Sequence, residues 1–167
     1  MPSILFVCTA NRFRSPLAAA ILSKVLAEMG IAEAWRIGSA GTWAIAGQPA
    51  LPAVSSIAHE FAIDLSGHRS ARVSRRLLAE YDLILVMEAG QKEALFHEFP
   101  KFQERIYLLS DVAERRSYDI PDSLGSEEDI RETGAELNDL IRRGRNYICV
   151  LATYLNNTRH SSELQHG

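Results

Sequence analysis

Apolar residues along this chain follow two different periods. Three near-continuous apolar runs and one shorter run predict buried strands, at residues 4–7, 82–87, 105–109 and 34–39. Apolar residues at helical spacing predict helices at residues 17–30, 51–61, 72–79, 91–98 and 126–155. Strands that alternate with helices indicate βαβ units, so we expect an α/β fold with a mostly parallel, four-stranded sheet and helices on both faces.

The chain has the length and composition of a single domain. Its 167 residues can enclose one sizeable core, and we expect a domain over residues 1–155 and a loose polar tail over residues 156–167. A net charge of −3 gives no reason to expect nucleic acid or an anionic membrane as a partner. Two cysteines, Cys8 and Cys149, and no long apolar run indicate a protein of the reducing cytoplasm.

The candidate chemistry lies where the first strand ends. Cys8 follows the strand, and Ser15 with Pro16 predicts a serine cap and a first-turn proline of the next helix. The loop between them would turn backbone N–H groups toward one hollow at the positive end of the helix, which suits a tetrahedral oxyanion such as phosphate. Arg14 adds two parallel donors, and the same positive potential favours the thiolate of Cys8, a nucleophile for phosphoryl transfer.

This segment resembles the phosphate-binding loop of the low molecular weight protein tyrosine phosphatases, Val-Cys-x-Gly-Asn-x-Cys-Arg-Ser-Pro. The matching residues are Cys8, Asn11, Arg14, Ser15 and Pro16, whereas Ala10 replaces a glycine and Phe13 replaces a second cysteine. The resemblance continues through residues 39–42, Gly47, Pro49, His68, residues 82–87 and residues 119–122. It implies a three-layer α/β/α domain with strand order 2-1-3-4.

The resemblance also implies an activity. Such an enzyme hydrolyses phosphotyrosine in proteins through a phosphocysteine intermediate, with Cys8 as the nucleophile. The phosphate, or free inorganic phosphate, would be bound by Arg14 and by the loop residues Thr9, Ala10, Asn11, Arg12 and Phe13. We expect no cofactor and no metal ion, a phosphotyrosine-containing protein as partner, and a monomer or weak dimer.

A carboxylic acid must protonate the leaving tyrosine oxygen. The family carries Asp-Pro and an aromatic residue here, and this chain has Asp122, Ser123 and Leu124. Alignment on residues 120–121 places the acid at Asp122, and Asp119 is the alternative. A loop carboxylate that caps the final helix would look the same in sequence.

Four polar residues match a network that holds the loop in shape in this family: Asn11, Ser15, Ser39 and His68. Asparagine tolerates the positive φ that such a loop needs at one position. The Ser15 hydroxyl would also donate to the Cys8 thiolate as it leaves.

Three residues are candidates for the mouth of the loop: Arg12, Phe13 and Trp43. In the family, a bulky aliphatic residue at position 12 accompanies phosphotyrosine and a threonine accompanies phosphoarginine. Arg12 would either attract acidic sequences or point to solvent. Trp43 would be either an aromatic wall for a phenyl ring or a half-buried loop residue. Phe13 removes the cysteine that forms a protective disulfide in relatives, and Cys149 lies in a helical apolar pattern typical of a core.

Three other functions are alternatives to this activity. A protein-arginine phosphatase shares the scaffold, although position 12 lacks threonine. A thioredoxin-linked arsenate reductase needs two further cysteines, and residues 82–89 contain none. A catalytically inactive phosphoprotein-binding module is favoured only by the altered segment after Asp122.

Overall fold

The computed structural model describes residues 1–165, which form a parallel sheet enclosed by helices. The four strands are β1 (Ser3–Cys8), β2 (Arg36–Gly41), β3 (Leu83–Val86) and β4 (Ile106–Leu108). The six α-helices are α1 (Arg14–Glu28), α2 (Pro52–Glu60), α3 (Arg75–Ala79), α4 (Ala89–Glu98), α5 (Leu109–Glu114) and α6 (Glu127–Gln165). Two 3₁₀ segments, Ala32–Ala34 and Pro100–Arg105, precede β2 and β4. Within residues 1–165, no helix has the length and apolarity needed to cross a membrane.

β1 lies at the centre of the sheet and contributes to the core on both faces. The strand order is β2-β1-β3-β4, and every pairing is parallel. Because side chains alternate along a strand, Ile4 and Phe6 pack with α1, α2 and α6, while Leu5 and Val7 pack with α3 and α4. The predicted three-layer fold and the order 2-1-3-4 are confirmed. Cys8 stands at the carboxyl edge of the sheet, where open α/β sheets bind ligands.

Three local expectations differ from the structure. α1 begins at Arg14 without a side-chain cap, so the prediction that Ser15 caps it is wrong. Residues 72–74, predicted as helix, precede α3, which Ser74 caps by accepting the Leu77 N–H at 3.1 Å. The short helix α5 was not predicted, because its apolar residues continue those of β4.

The expectation of a loose tail is wrong for residues 156–165, which continue α6 across the predicted domain boundary without a break. One partner of this segment is Asp82, a buried carboxylate just before β3. Asn156 Nδ2 donates to Asp82 Oδ2 at 3.1 Å, and Arg159 Nη1 donates to Asp82 Oδ1 at 2.5 Å. Residues 166 and 167 of the predicted tail lie outside the described residues.

Candidate active site

The loop between β1 and α1 has the form of an anion cradle. Cys8 is 2% exposed, and its Sγ lies 2.9 Å from the Ser15 Oγ. Among the described residues, the backbone N–H groups of residues 10–13 find no hydrogen-bond acceptor. Because these donors stand at the N-terminal end of α1, they can bind an oxyanion above Cys8.

Asn11 is the centre of the polar network that supports the loop. Its backbone has a φ of 57°, which a left-handed loop position requires. Its Nδ2 donates to Ser15 Oγ at 2.8 Å and to Ser39 Oγ at 2.9 Å, and its Oδ1 accepts the Ala71 N–H at 2.9 Å. One side chain therefore joins the loop to β2 and to the segment before α3.

His68 and Gly41 complete this support. His68 Nε2 lies 2.7 Å from the Asn11 carbonyl oxygen, so the four residues of the predicted network do meet. A Cβ on Gly41 would lie 2.4 Å from the Thr9 carbonyl oxygen. Only glycine lets the end of β2 approach the loop so closely.

Arg14 is the charged group of the cradle, and it is only 1% exposed. Its Nη1 donates to the Ile120 carbonyl oxygen at 2.7 Å and lies 3.2 Å from Glu88 Oε1. Its Nε has no hydrogen-bond partner within the described part of the chain. An unsatisfied buried donor costs free energy that a ligand oxygen would restore.

Glu88 and Gln91 are site residues that the sequence analysis missed. Glu88 is the N-cap of α4 and forms a reciprocal capping box with Gln91. Gln91 Nε2 also donates to Thr9 Oγ1 at 3.1 Å, which fixes the start of the loop to α4. The available signal was the spacing Glu-x-x-Gln directly after a buried strand.

The structure separates the two candidate acids. Asp119 Oδ1 accepts the Ala89 N–H at 2.8 Å, so this carboxylate is engaged at the start of α4. Asp122 is 43% exposed, and its Oδ1 lies 3.5 Å from the Arg14 Nε. Neither residue caps α6, since the Ser126 hydroxyl accepts the Asp129 N–H there. Of the two candidate acids, Asp122 is therefore the one that lies beside Arg14.

The side chains predicted at the mouth of the phosphate-binding loop are placed differently from the expectations. Trp43 is 77% exposed, so the half-buried alternative is wrong, and its backbone N–H donates to the Thr9 carbonyl oxygen at 2.9 Å. Arg12 is partly buried, and its Nε donates to the Pro49 carbonyl oxygen at 2.8 Å. The Arg12 side chain is thus bound to the neighbouring loop.

Phe13 does not line the mouth with its side chain. It is buried in the core on the α1 face of the sheet, so only its backbone belongs to the cradle. Ala10, in contrast, is exposed at the loop surface, where a methyl group in place of the family's glycine is accommodated.

Cys149 takes no part in these contacts. Cys149 packs partly buried against the α1 side of the core, and burial raises the pKa of its thiol. Among residues with described side chains, no three of the types that bind metals come together as a possible metal site.

Comparison with known proteins agrees with this geometry. A family model described as low molecular weight phosphotyrosine protein phosphatase matches residues 3–157. The low molecular weight protein-tyrosine-phosphatase Wzb of Escherichia coli K12 is 34% identical over 141 residues, 84% of this chain and 88% of Wzb. A protein-arginine-phosphatase of Bacillus subtilis is 29% identical over 141 residues, 84% of this chain and 92% of that protein.

One similar solved structure is a complex with an anion. The tyrosine phosphatase Wzb from Escherichia coli K30, in complex with sulphate, superposes with a TM-score of 0.76 at 29% identity. The superposition covers 86% of this chain and 96% of that chain. The fold, the cradle geometry and the family match agree, and this chain belongs to the low molecular weight phosphotyrosine protein phosphatase family.

Proposed function

We propose that this protein hydrolyses phosphotyrosine in proteins through a phosphocysteine intermediate. The observation that carries the proposal is the buried guanidinium of Arg14 at the start of α1, whose Nε has no hydrogen-bond partner among the described residues and lies 3.5 Å from Asp122 Oδ1. A phosphate oxygen supplies the acceptor that this nitrogen lacks. The remaining oxygens accept from the backbone N–H groups of residues 10–13.

The reaction proceeds in two steps. The Cys8 thiolate attacks phosphorus in line, the bond from phosphorus to the tyrosine oxygen breaks, and Asp122 transfers its proton to that oxygen. Asp122, now ionised, takes a proton from water, which attacks the phosphocysteine and releases inorganic phosphate. The Ser15 hydroxyl, 2.9 Å from Cys8 Sγ, stabilises the thiolate as it leaves. The protein supplies positioning and charge stabilisation, as phosphoryl transfer requires.

The direct test is release of phosphate from a phosphotyrosine peptide and from p-nitrophenyl phosphate. We expect the protein to hydrolyse both. Binding of the peptide without any turnover would instead identify a phosphoprotein-binding module.

Replacing Asp122 with asparagine is expected to lower kcat/KM on a phosphotyrosine peptide by about 10²- to 10⁴-fold. The loss on p-nitrophenyl phosphate is expected to be much smaller, because p-nitrophenolate leaves readily without a proton. The measurement is kcat/KM for both substrates, because kcat also includes the hydrolysis of the phosphocysteine, which is the same step for both.

The matched control is Asp119→Asn, which keeps an oxygen to accept the Ala89 N–H and is expected to stay within a few-fold of wild type on both substrates. If Asp119→Asn shows the substrate-dependent loss and Asp122→Asn does not, the acid is Asp119.

A protein-arginine phosphatase is the second candidate, since the similar Bacillus subtilis protein has that name. The exposed indole of Trp43, held beside the loop by its bond to Thr9, favours an aromatic ring in the substrate. Comparison of kcat/KM on phosphotyrosine and phosphoarginine peptides decides between the two. Faster hydrolysis of phosphoarginine would reverse the assignment.

Prolonged excess peroxide is expected to inactivate the protein irreversibly. Phe13 stands where relatives have a second cysteine, and the thiol of Cys149 is held on the last helix with a raised pKa. Without a nearby thiol to form a disulfide, Cys8 advances to sulfinic and sulfonic acid. Substantial recovery of activity with dithiothreitol would contradict this, and Cys149→Ser is the control because it is expected to behave as wild type.

A cytoplasmic location and a monomeric or weakly dimeric state complete the proposal. Two cysteines in 167 residues, both free thiols, support a reducing compartment.

A further inference from the structure

The segment that leads into α3, together with α3 itself, carries an excess of positive charge. Residues 65–79 contain four arginines and no acidic residue, although the whole chain has a net charge of −3. We name Arg69, Arg72, Arg75 and Arg76 the arginine strip. All four side chains are exposed.

The strip differs from other arginines on the surface in having no acidic partner. Several surface arginines lie within 3.2 Å of a carboxylate, among them Arg36 with Glu80 and Arg142 with Glu28. No arginine of the strip forms an ion pair with any residue that the structure describes. Its charge is therefore available to an external anion.

Backbone hydrogen bonds on both sides of Arg72 join this segment to the phosphate-binding loop and to the end of β2. The Ala71 N–H donates to Asn11 Oδ1, and the Val73 N–H donates to the Gly41 carbonyl oxygen at 2.9 Å. Arg72, between these two residues, thus has a fixed backbone beside the loop. Its guanidinium carbon lies 5.7 Å from the centre of the Trp43 ring, a cation–π distance.

The Trp43 contact orders Arg72 at the mouth. The indole is exposed, and its own backbone is bonded to Thr9 of the cradle. A guanidinium that lies against an aromatic ring keeps its N–H groups free at the edge for a carboxylate. Ring and cation together form a surface that a phosphotyrosine with an acidic neighbour would fit.

We propose that the arginine strip, chiefly through Arg72, binds acidic side chains that flank the phosphotyrosine of the protein substrate. This inference rests on the proposed function and names the class of substrate that the site selects. It differs from the expectation for Arg12, whose Nε is engaged with Pro49. No pattern in the sequence indicates that Arg72 binds acidic side chains of the substrate.

The test uses two phosphotyrosine peptides of equal length, with glutamate or glutamine at the two positions on each side of the phosphotyrosine. For wild type we expect kcat/KM to be about three- to ten-fold higher for the glutamate peptide at low salt. The preference should shrink in 1 M salt, where the Debye length is about 3 Å. Both peptides are compared within the same variant, so the ratio of their kcat/KM values is unaffected by a change in the chemical step.

Charge-reversal variants test which residue causes the preference for the glutamate peptide. Arg72→Glu is expected to bring the ratio to one or below, and Arg72→Gln to give an intermediate ratio. The matched control is Lys101→Glu, which changes the net charge equally on the exposed 3₁₀ segment before β4, at the other end of the sheet from Cys8. It is expected to keep the wild-type ratio.

Each other outcome overturns the inference. A wild-type ratio near one, or an equal fall in Arg72→Glu and Lys101→Glu, rules out recognition by the strip while leaving phosphotyrosine hydrolysis intact. If wild type hydrolyses neither peptide nor p-nitrophenyl phosphate, the proposed function itself is wrong and the inference fails with it.

Discussion

Replacing Cys8 with serine is expected to lower kcat on phosphotyrosine peptides by roughly 10⁴-fold or more. A serine hydroxyl is a much weaker nucleophile than a cysteine sulfur, which is intrinsically very nucleophilic. The variant should still bind the peptide, since Arg14 and the loop N–H groups are unchanged. Steady-state rates and fluorescence anisotropy with a labelled phosphotyrosine peptide measure the two properties separately.

Cys149→Ser is the matched control for this prediction, because it makes the same chemical change outside the active site. It is expected to retain wild-type turnover. Turnover of Cys8→Ser within ten-fold of wild type would show that Cys8 is not the nucleophile. Loss of peptide binding in Cys8→Ser would show that the substitution distorts the cradle.

Replacing Arg14 with lysine is expected to lower kcat/KM on phosphotyrosine peptides by about 10²- to 10³-fold. Lysine preserves the charge but presents a single ammonium group, so it cannot satisfy the Ile120 carbonyl oxygen and bind phosphate through a second nitrogen in the same fixed geometry. The measurement is kcat/KM together with the affinity for inorganic phosphate.

The fold of Arg14→Lys must be checked, because the side chain is buried. We expect a loss of about 1–3 kcal/mol in the free energy of unfolding from the polar partners left unsatisfied. Arg131→Lys is the control at an exposed ion pair with Glu60, where the same change is expected to alter stability by about 0.5 kcal/mol or less. Phosphate affinity and kcat/KM both close to wild type in Arg14→Lys would remove Arg14 from the mechanism.

The sequence predicted those parts of the site whose contacts are local. The apolar run into Cys8, followed by a loop and a helix, determined the position of the cradle, and the family pattern identified the partners of Asn11. Phe13 was misplaced because its exposure depends on the core that α1 covers. The cap prediction for Ser15 rested on the proline that follows it, whereas its hydroxyl bonds to Cys8, Asn11 and the Ala40 carbonyl oxygen instead.

The other differences between the sequence-based predictions and the structure also arise where the conformation is not determined by local sequence. Glu88 lies far from Arg14 in the sequence, and only the parallel pairing of β1 with β3 brings their segments together. The exposure of Trp43 follows from the path of a loop that has no periodic pattern. The last turns of α6 contact the buried carboxylate of Asp82 and the Ala79 carbonyl oxygen, and no helical pattern reveals these contacts.

That carboxylate, Asp82, links the two ends of the chain. It accepts hydrogen bonds from the backbone and side chain of Ser3, at the start of β1, and from Asn156 and Arg159 near the end of α6. If the last turns of α6 separated from the sheet, Asp82 would lose its cationic partner within the core. Opening of the C-terminal turns is therefore coupled to the strand that ends in Cys8, and the first and last segments belong to one cooperative unit of folding.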